Sequence, residues 1–155
     1  MRPTRETFLA AVLACEGVPY LWGGRSPRGL DCSGLVAWAL YVVGGPDIRR
    51  SHWTDRLWQE LPGVVEPQAG DLAFYGRPGD PSHVVVCLGG PHDQVIGANG
   101  GNSDVVTVEI ADERRARVRR REAPNYRRDL LGFRSTAPWW RDQEKQAWKR
   151  CTHPK

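Results

Sequence analysis

Several features are missing from this chain of 155 residues, and each absence excludes something. No apolar run approaches the roughly 20 residues that a membrane-spanning helix needs, so no transmembrane segment is expected. Four cysteines, at positions 15, 32, 87 and 151, have no C-x-x-C spacing and are too sparse for a disulfide framework, which points to reduced thiols. The glycine-rich stretch at 23–29, GGRSPRG, lacks the lysine and threonine of a phosphate-binding loop. The opening MRPTRETFLAAVLACEG has only a short apolar patch, interrupted by Cys15 and Glu16. It reads as an amphipathic helix rather than a signal peptide, so a route other than an ordinary signal is expected if the protein works outside a cell. Neither an internal repeat nor a low-complexity segment is present.

What remains suits one soluble globular domain: 40% of residues are apolar and 26% charged, and the length is enough to bury a core without metals. The net charge of +4 is unevenly spread. Residues 1–100 hold 8 Arg/Lys and 10 Asp/Glu, whereas residues 101–155 hold 14 and 8. A near-neutral body is therefore followed by a basic third, suited to an anionic partner.

In chain order, Thr4 caps a helix to about Cys15 whose buried face is Phe8, Leu9, Val12 and Leu13. A turn-rich loop from Val18 to Leu30 leads into a second helix that opens at Cys32 and buries Leu35, Val36, Ala39 and Leu40. Gly44-Gly45-Pro46 ends it, and residues 47–62 suggest a third helix. From there the texture changes to short β-branched runs: strands are expected at 71–75, 83–88, 94–98, 105–110 and 130–134. The segment 111–122, ADERRARVRRRE, is too charged for core and reads as an exposed helix or a solvated strand and turn. Helices first and strands later describe an α+β domain with helices packed on an antiparallel sheet. That domain is expected over 1–138, with 139–155 a basic, tryptophan-containing tail.

Cys32 sits at the first turn of its helix, where unpaired N–H groups and the helix dipole stabilise a thiolate. A buried structural cysteine is the commoner fate of a free thiol. A cysteine nucleophile needs a base, and four histidines are available. His153 lies near the chain end, His92 in a hairpin loop, and His52 at a helix start. His83 opens an apolar strand straight after a turn, where rigid backbone holds a ring that can still reach a cleft. His83 and Cys87 do not form a metal site, because four residues on a strand span about 13 Å, and no second Cys/His pair completes a set. No metal or other cofactor is expected.

PYLWGG, then DCSGLV opening a helix, then GDLAFYG, then SHVVVCLG occur in the order of the NlpC family of bacterial cell-wall cysteine peptidases, which this chain resembles from about Val18 to Ala98 and more loosely to Phe133. The resemblance implies a papain-like α+β fold, with Cys32 as nucleophile and His83 as general base. It also implies that Tyr20, Trp22, Asp31 and Ser33 line the groove gripping the amino end of a peptidoglycan stem peptide. The reaction implied is hydrolysis of an amide in that peptide, typically between D-glutamate and a diamino acid. The family's third catalytic residue falls here on Gly97, which has no side chain. Asn99 faces the same way one residue pair further on, and becomes the orienting residue if the hairpin register brings it opposite His83. Otherwise Asn99 is a turn residue.

The leading expectation is therefore a thiol-dependent peptidoglycan endopeptidase, monomeric and similar to small phage-associated members of the family, such as lysins. A related amidase or acyltransferase with the same Cys/His pair, or a wall-binding module that has lost catalysis, are the alternatives. The basic stretch from Arg114 to Arg128 suits an anionic cell-wall polymer. Nucleic acid is not expected, because no recognised nucleic-acid module accompanies the charge.

Overall fold

The computed structural model describes residues 3–90 and 93–140, so His92, Cys151, His153 and the tail from 141 lie outside the described residues. In order, the elements are α1 (Arg5–Ala14), β1 (Arg25–Ser26), β2 (Gly29–Leu30), α2 (Cys32–Val42), α3 (Thr54–Glu60), β3 (Gly63–Val64), β4 (Leu72–Arg77), β5 (Asp80–Gly89), β6 (Gln94–Asn99), α4 (Val108–Arg114), β7 (Arg117–Arg121) and β8 (Leu130–Arg134). A 3₁₀ turn at Pro124–Tyr126 separates the last two strands. Six strands form one antiparallel sheet in the order β3-β8-β4-β5-β6-β7, and the short β1–β2 pair stands apart. The fold is α+β.

The sheet is apolar on both faces, which is why the runs LAFY and HVVVCL do not alternate cleanly with polar residues. One face presents Leu72, Phe74, Val84, Val86, Ile96 and Ala98 to the core shared with the helices. The opposite face gathers Ala73, Tyr75, Val85, Cys87 and Val95 into a second cluster under Tyr126, Leu130 and Phe133. Burial of this apolar surface is the main stabilising term of such a fold.

Local signals set the helix starts. Thr4 caps α1, its hydroxyl accepting from Thr7 N at 3.0 Å while the Thr7 hydroxyl accepts from Thr4 N. Phe8 and Val12 are buried as expected, whereas Leu13 is exposed. Asp71 ties the chain ends to the middle: one carboxylate oxygen accepts from Arg5 Nη1 at 2.7 Å and from Thr136 N at 3.0 Å, and the other from Gln68 N. Asp71 is buried while Arg5 is partly exposed, so removing the arginine leaves a buried carboxylate short of its charged partner. Trp139 and Trp140 pack on Phe8, so the packed body continues two residues past 138.

Three expected elements differ. Residues 47–53 are irregular, and the third helix is only the seven residues of α3. The strand expected at 105–110 does not form; β7 pairs beside β6, and this segment joins no sheet. Instead Thr107 caps α4 by accepting from Ile110 N, and Val105 is buried while Val106 and Val108 are exposed. The charged segment 111–122 divides into the end of α4 and the edge strand β7, and its three apolar residues Ala111, Ala116 and Val118 enter the core.

Candidate active site

Cys32 is the first residue of α2, and Asp31 is its N-cap. The Asp31 carboxylate accepts from Gly34 N at 2.6 Å through Oδ1 and from Gly23 N at 3.0 Å through Oδ2. One side chain thus starts the helix and folds the preceding loop against it. Gly34 has no room for a side chain: a Cβ there would collide with the carbonyl of Gly24 and crowd the Asp31 carboxylate. The D-C-S-G sequence is a packing requirement as much as a chemical one.

Tyr20, Trp22, Asp31, Cys32, Ser33 and His83 all line one groove of about 650 Å³. Trp22 is exposed along its rim, while Tyr20 is buried with its ring against Gly101. The Ser33 hydroxyl is already engaged, accepting from Arg25 Nη2 at 2.9 Å and lying 3.4 Å from Asp31 Oδ1. Thr54, at the start of α3, reaches the nucleophile candidate, with Oγ1 3.5 Å from Cys32 Sγ. The sequence pattern puts Thr54 inside a longer helix and indicates no role for it.

His83 lies on β5, opposite Tyr75 of β4, just beyond a bulge at Tyr75/Gly76. The strand begins three residues before His83 rather than at it. On the other side, β5 and β6 pair as Val86↔Ile96 and Cys87↔Val95, a register that carries Asn99 to the level of His83. The Asn99 side chain meets the ring, with Oδ1 2.9 Å from His83 Nε2. Gly97 falls beside Val85, whose side chain occupies the space a Cβ would need. A larger residue is excluded at 97 by packing, and the polar partner comes from 99 instead.

The amide of Asn99 has one orientation. Its Nδ2 donates to Gly97 O at 3.0 Å and Arg119 O at 3.3 Å, so Oδ1 is the atom facing His83. An amide oxygen only accepts, so Nε2 carries the proton and Nδ1 keeps its lone pair. Tyr126 adds a second contact that no sequence signal indicated. Its hydroxyl donates to Asn99 Oδ1 at 2.7 Å and stands 3.1 Å from His83 Nε2, from a turn 27 residues further along the chain.

A family model described as the NlpC/P60 family matches residues 17–120, which contain every site residue above except Tyr126. The chain belongs to the NlpC/P60 family. Its relatives include Dipeptidyl-peptidase 6 of Lysinibacillus sphaericus, 35% identical over 130 residues, covering 81% of this chain and 41% of that protein. Peptidoglycan endopeptidase RipB of Mycobacterium tuberculosis is 37% identical over 107 residues, covering 61% and 43%. The chain thus spans less than half the length of these curated relatives. Among solved structures, the NlpC/p60 domain of peptidoglycan hydrolase SagA superposes with a TM-score of 0.66 at 27% identity, over 86% of this chain and all of that one.

Within this NlpC/P60 domain, electrostatics leave both central groups neutral at rest. Burial pulls the His83 pKa down to about 4, aided by the Arg127 charge and opposed by the Asn99 bond and by Asp129. Burial also pushes the Cys32 thiol up, with the Asp31 charge adding to it, against contacts from Thr54 and the amides of Val84 and Ser33. The thiolate expected from the helix terminus alone is therefore outweighed by desolvation. Cys15 and Cys87 are also buried, and burial raises both thiols, that of Cys87 to about 12.

Proposed function

We propose that this chain is a cysteine endopeptidase that hydrolyses an amide in peptidoglycan stem peptides, at the bond between D-glutamate and a diamino acid. The observation that carries this reading is the clamp on His83. With Nε2 held by Asn99 Oδ1, the basic nitrogen is Nδ1, the one left for the thiol of the shared groove. Belonging to a family whose relatives include a peptidoglycan endopeptidase supports the substrate class.

In this mechanism His83 Nδ1 takes the proton of the Cys32 thiol as sulfur attacks the scissile carbonyl. The resulting oxyanion is stabilised by N–H groups at the head of α2. The intermediate collapses as the C–N bond breaks, and the proton on Nδ1 passes to the departing amine. Water, deprotonated by the same nitrogen, then hydrolyses the thioester and frees Cys32. Asn99 keeps the ring in the required tautomer and orientation and is a positioning residue. Tyr126 supports it.

Tyr20, Trp22, Asp31 and Ser33 form the end of the groove that takes the free amino terminus of the stem peptide. Burial first, then the nearby Cys32 and Asp31, raise the Tyr20 hydroxyl, so it stays protonated and available as a hydrogen-bond donor. Asp31 brings a carboxylate to the same wall, attractive to an ammonium group. Digestion of purified peptidoglycan, followed by mass analysis, tests the reading. Fragments bearing a new amino terminus on the diamino acid are expected. Cuts confined to the glycan, or to other amides, overturn it.

The basic last third of the chain is proposed to hold the enzyme on an anionic wall polymer. Raising salt is expected to weaken sedimentation of the protein with purified walls, with little change in cleavage of a soluble stem peptide. Salt-insensitive sedimentation overturns that role.

A further inference from the structure

The start of α3 is fastened to the head of α2 by a charge that takes no part in the mechanism above. Arg25, on β1, donates from Nη2 to Ser33 Oγ at 2.9 Å, and its guanidinium carbon lies 4.5 Å from the centroid of the Trp53 ring. A cation over an indole face is an orienting contact. Trp53 stands at the N-cap of α3 without making a side-chain capping bond, and Leu57, one turn on, anchors the same helix in the core. Between these two holds lies Thr54, the first residue of α3.

Thr54 is buried, and among the described residues its hydroxyl has one hydrogen-bond partner, Cys32 Sγ at 3.5 Å. A buried hydroxyl ordinarily finds an oxygen, because leaving it poorly paired costs free energy. The sulfur of a neutral thiol is a weak partner, whether it donates or accepts. Ionisation changes the contact. A thiolate has no proton to give, so the hydroxyl must donate, and a donor to a charged acceptor is worth roughly twice a neutral one. Ionisation is also what this site opposes. Cys32 is largely buried, and burial and then the Asp31 charge raise its thiol, whereas the Thr54 hydroxyl acts in the other direction.

We infer that Thr54 belongs to the reacting centre: its hydroxyl donates to Cys32 Sγ as His83 takes the thiol proton, in place of the water that burial removes. The thiol proton goes to His83 Nδ1, and the Thr54 proton stays on Oγ1 throughout. The sulfur thus carries its developing charge against a fixed dipole until the bond to the scissile carbon forms. The inference rests on the reading of Cys32 as nucleophile and deepens it, by naming the side chain that lets a buried thiol ionise.

The test reads the pH midpoint of Cys32 alkylation by iodoacetamide, followed by peptide mass so that the other cysteines do not contribute. Thr54→Val keeps the shape of the side chain and removes the hydroxyl. It is expected to raise the midpoint by about one pH unit, the size of losing one hydrogen bond to a charged group. Thr54→Ser keeps the donor and is expected to hold the midpoint close to that of wild type. The midpoint is the readout because a purely structural change moves the melting temperature and leaves the ionisation alone. Rates at a single pH are compressed, since the more basic thiolate is also the better nucleophile. The shift is expected to persist on a His83→Ala background, where the thiol titrates without its base. With His83 present, kcat for a soluble stem peptide is expected to fall about tenfold in Thr54→Val with little change in KM, because the contact strengthens only as charge develops. A Thr54→Val midpoint equal to that of wild type overturns the inference. So does a shift that vanishes on the His83→Ala background, which places the effect on the ring. If Thr54→Val does not fold, Thr54→Ala against Thr54→Ser makes the same comparison without the added methyl group. If the midpoint moves as expected and the wild type cuts no stem peptide, the peptidase reading falls and the Thr54 contact stands.

Discussion

Replacing Cys32 with alanine is expected to leave a folded protein that releases no stem-peptide fragments, with hydrolysis reduced by about 10⁴-fold or more, as when the nucleophile of a coupled catalytic unit is removed. His83→Ala is expected to give a loss of the same order, and the double substitution little more, because the two side chains act on one proton. Both changes leave the α2 cap untouched, since Asp31 and Gly34 make it without Cys32 Sγ. Thermal melting therefore distinguishes loss of chemistry from loss of fold. A Cys32→Ala protein that still cuts the peptide overturns the assignment of the nucleophile. A wild-type protein that binds walls but cuts nothing restores the alternative of a wall-binding module. Thiol labelling at neutral pH gives an independent measure. Cys15, Cys32 and Cys87 are all buried, so fast alkylation of Cys32 requires both the opening of the groove and a base. That advantage is expected to disappear in His83→Ala.

The second large effect is expected at Asn99. Asn99→Leu removes the acceptor that holds the Nε2 proton, and the ring is then free to carry its proton on Nδ1, where it cannot act as a base. A fall in kcat of about 10²-fold is expected, smaller than for a complete tautomer error because Tyr126 still stands 3.1 Å from Nε2. Combining Asn99→Leu with Tyr126→Phe removes both partners and is expected to cost about a further tenfold. If the double variant is no slower than the single one, Tyr126 has no part in holding the ring.

The pH profile carries the same information. His83 is pulled to about 4 from an ordinary value of 6.5, and the base is the neutral ring, so kcat/KM is expected to rise with pH through about 4 and to hold into the neutral range. The Asn99 bond acts in the raising direction, so the acid limb of Asn99→Leu is expected to move lower as its plateau drops. Stability follows the same group. Because the folded state favours the neutral ring, its contribution is intact above about 6.5 and is lost as the pH falls towards about 4.

Much of this was legible in the one-dimensional chain because the signals are local. Thr4 and Asp31 announce helix starts through the hydroxyl and carboxylate that their own following amides require. Cys32 at the head of α2, the glycine three residues after Asp31, and the apolar runs of β4 and β5 follow from spacing alone, and the ordered motifs identify the family. The segment 105–110 shows the limit. Its β-branched residues suit a strand, yet a strand needs a neighbour, and whether one is free is decided by the rest of the sheet.

The partner of His83 is decided in the same non-local way. Gly97 and Asn99 share a face in any extended chain, but only the β5–β6 register and the bulk of Val85 select which of them stands beside the ring. Tyr126 reaches the His83 ring from a turn whose sequence resembles any solvated surface. The sequence by itself determined the fold class and singled out Cys32 and His83 as the proposed nucleophile and base, since each signal rests on residues close together in the chain. The tertiary structure decided what holds the His83 ring and which nitrogen it leaves free, because strand register and loop placement depend on pairings across tens of residues that no local preference encodes.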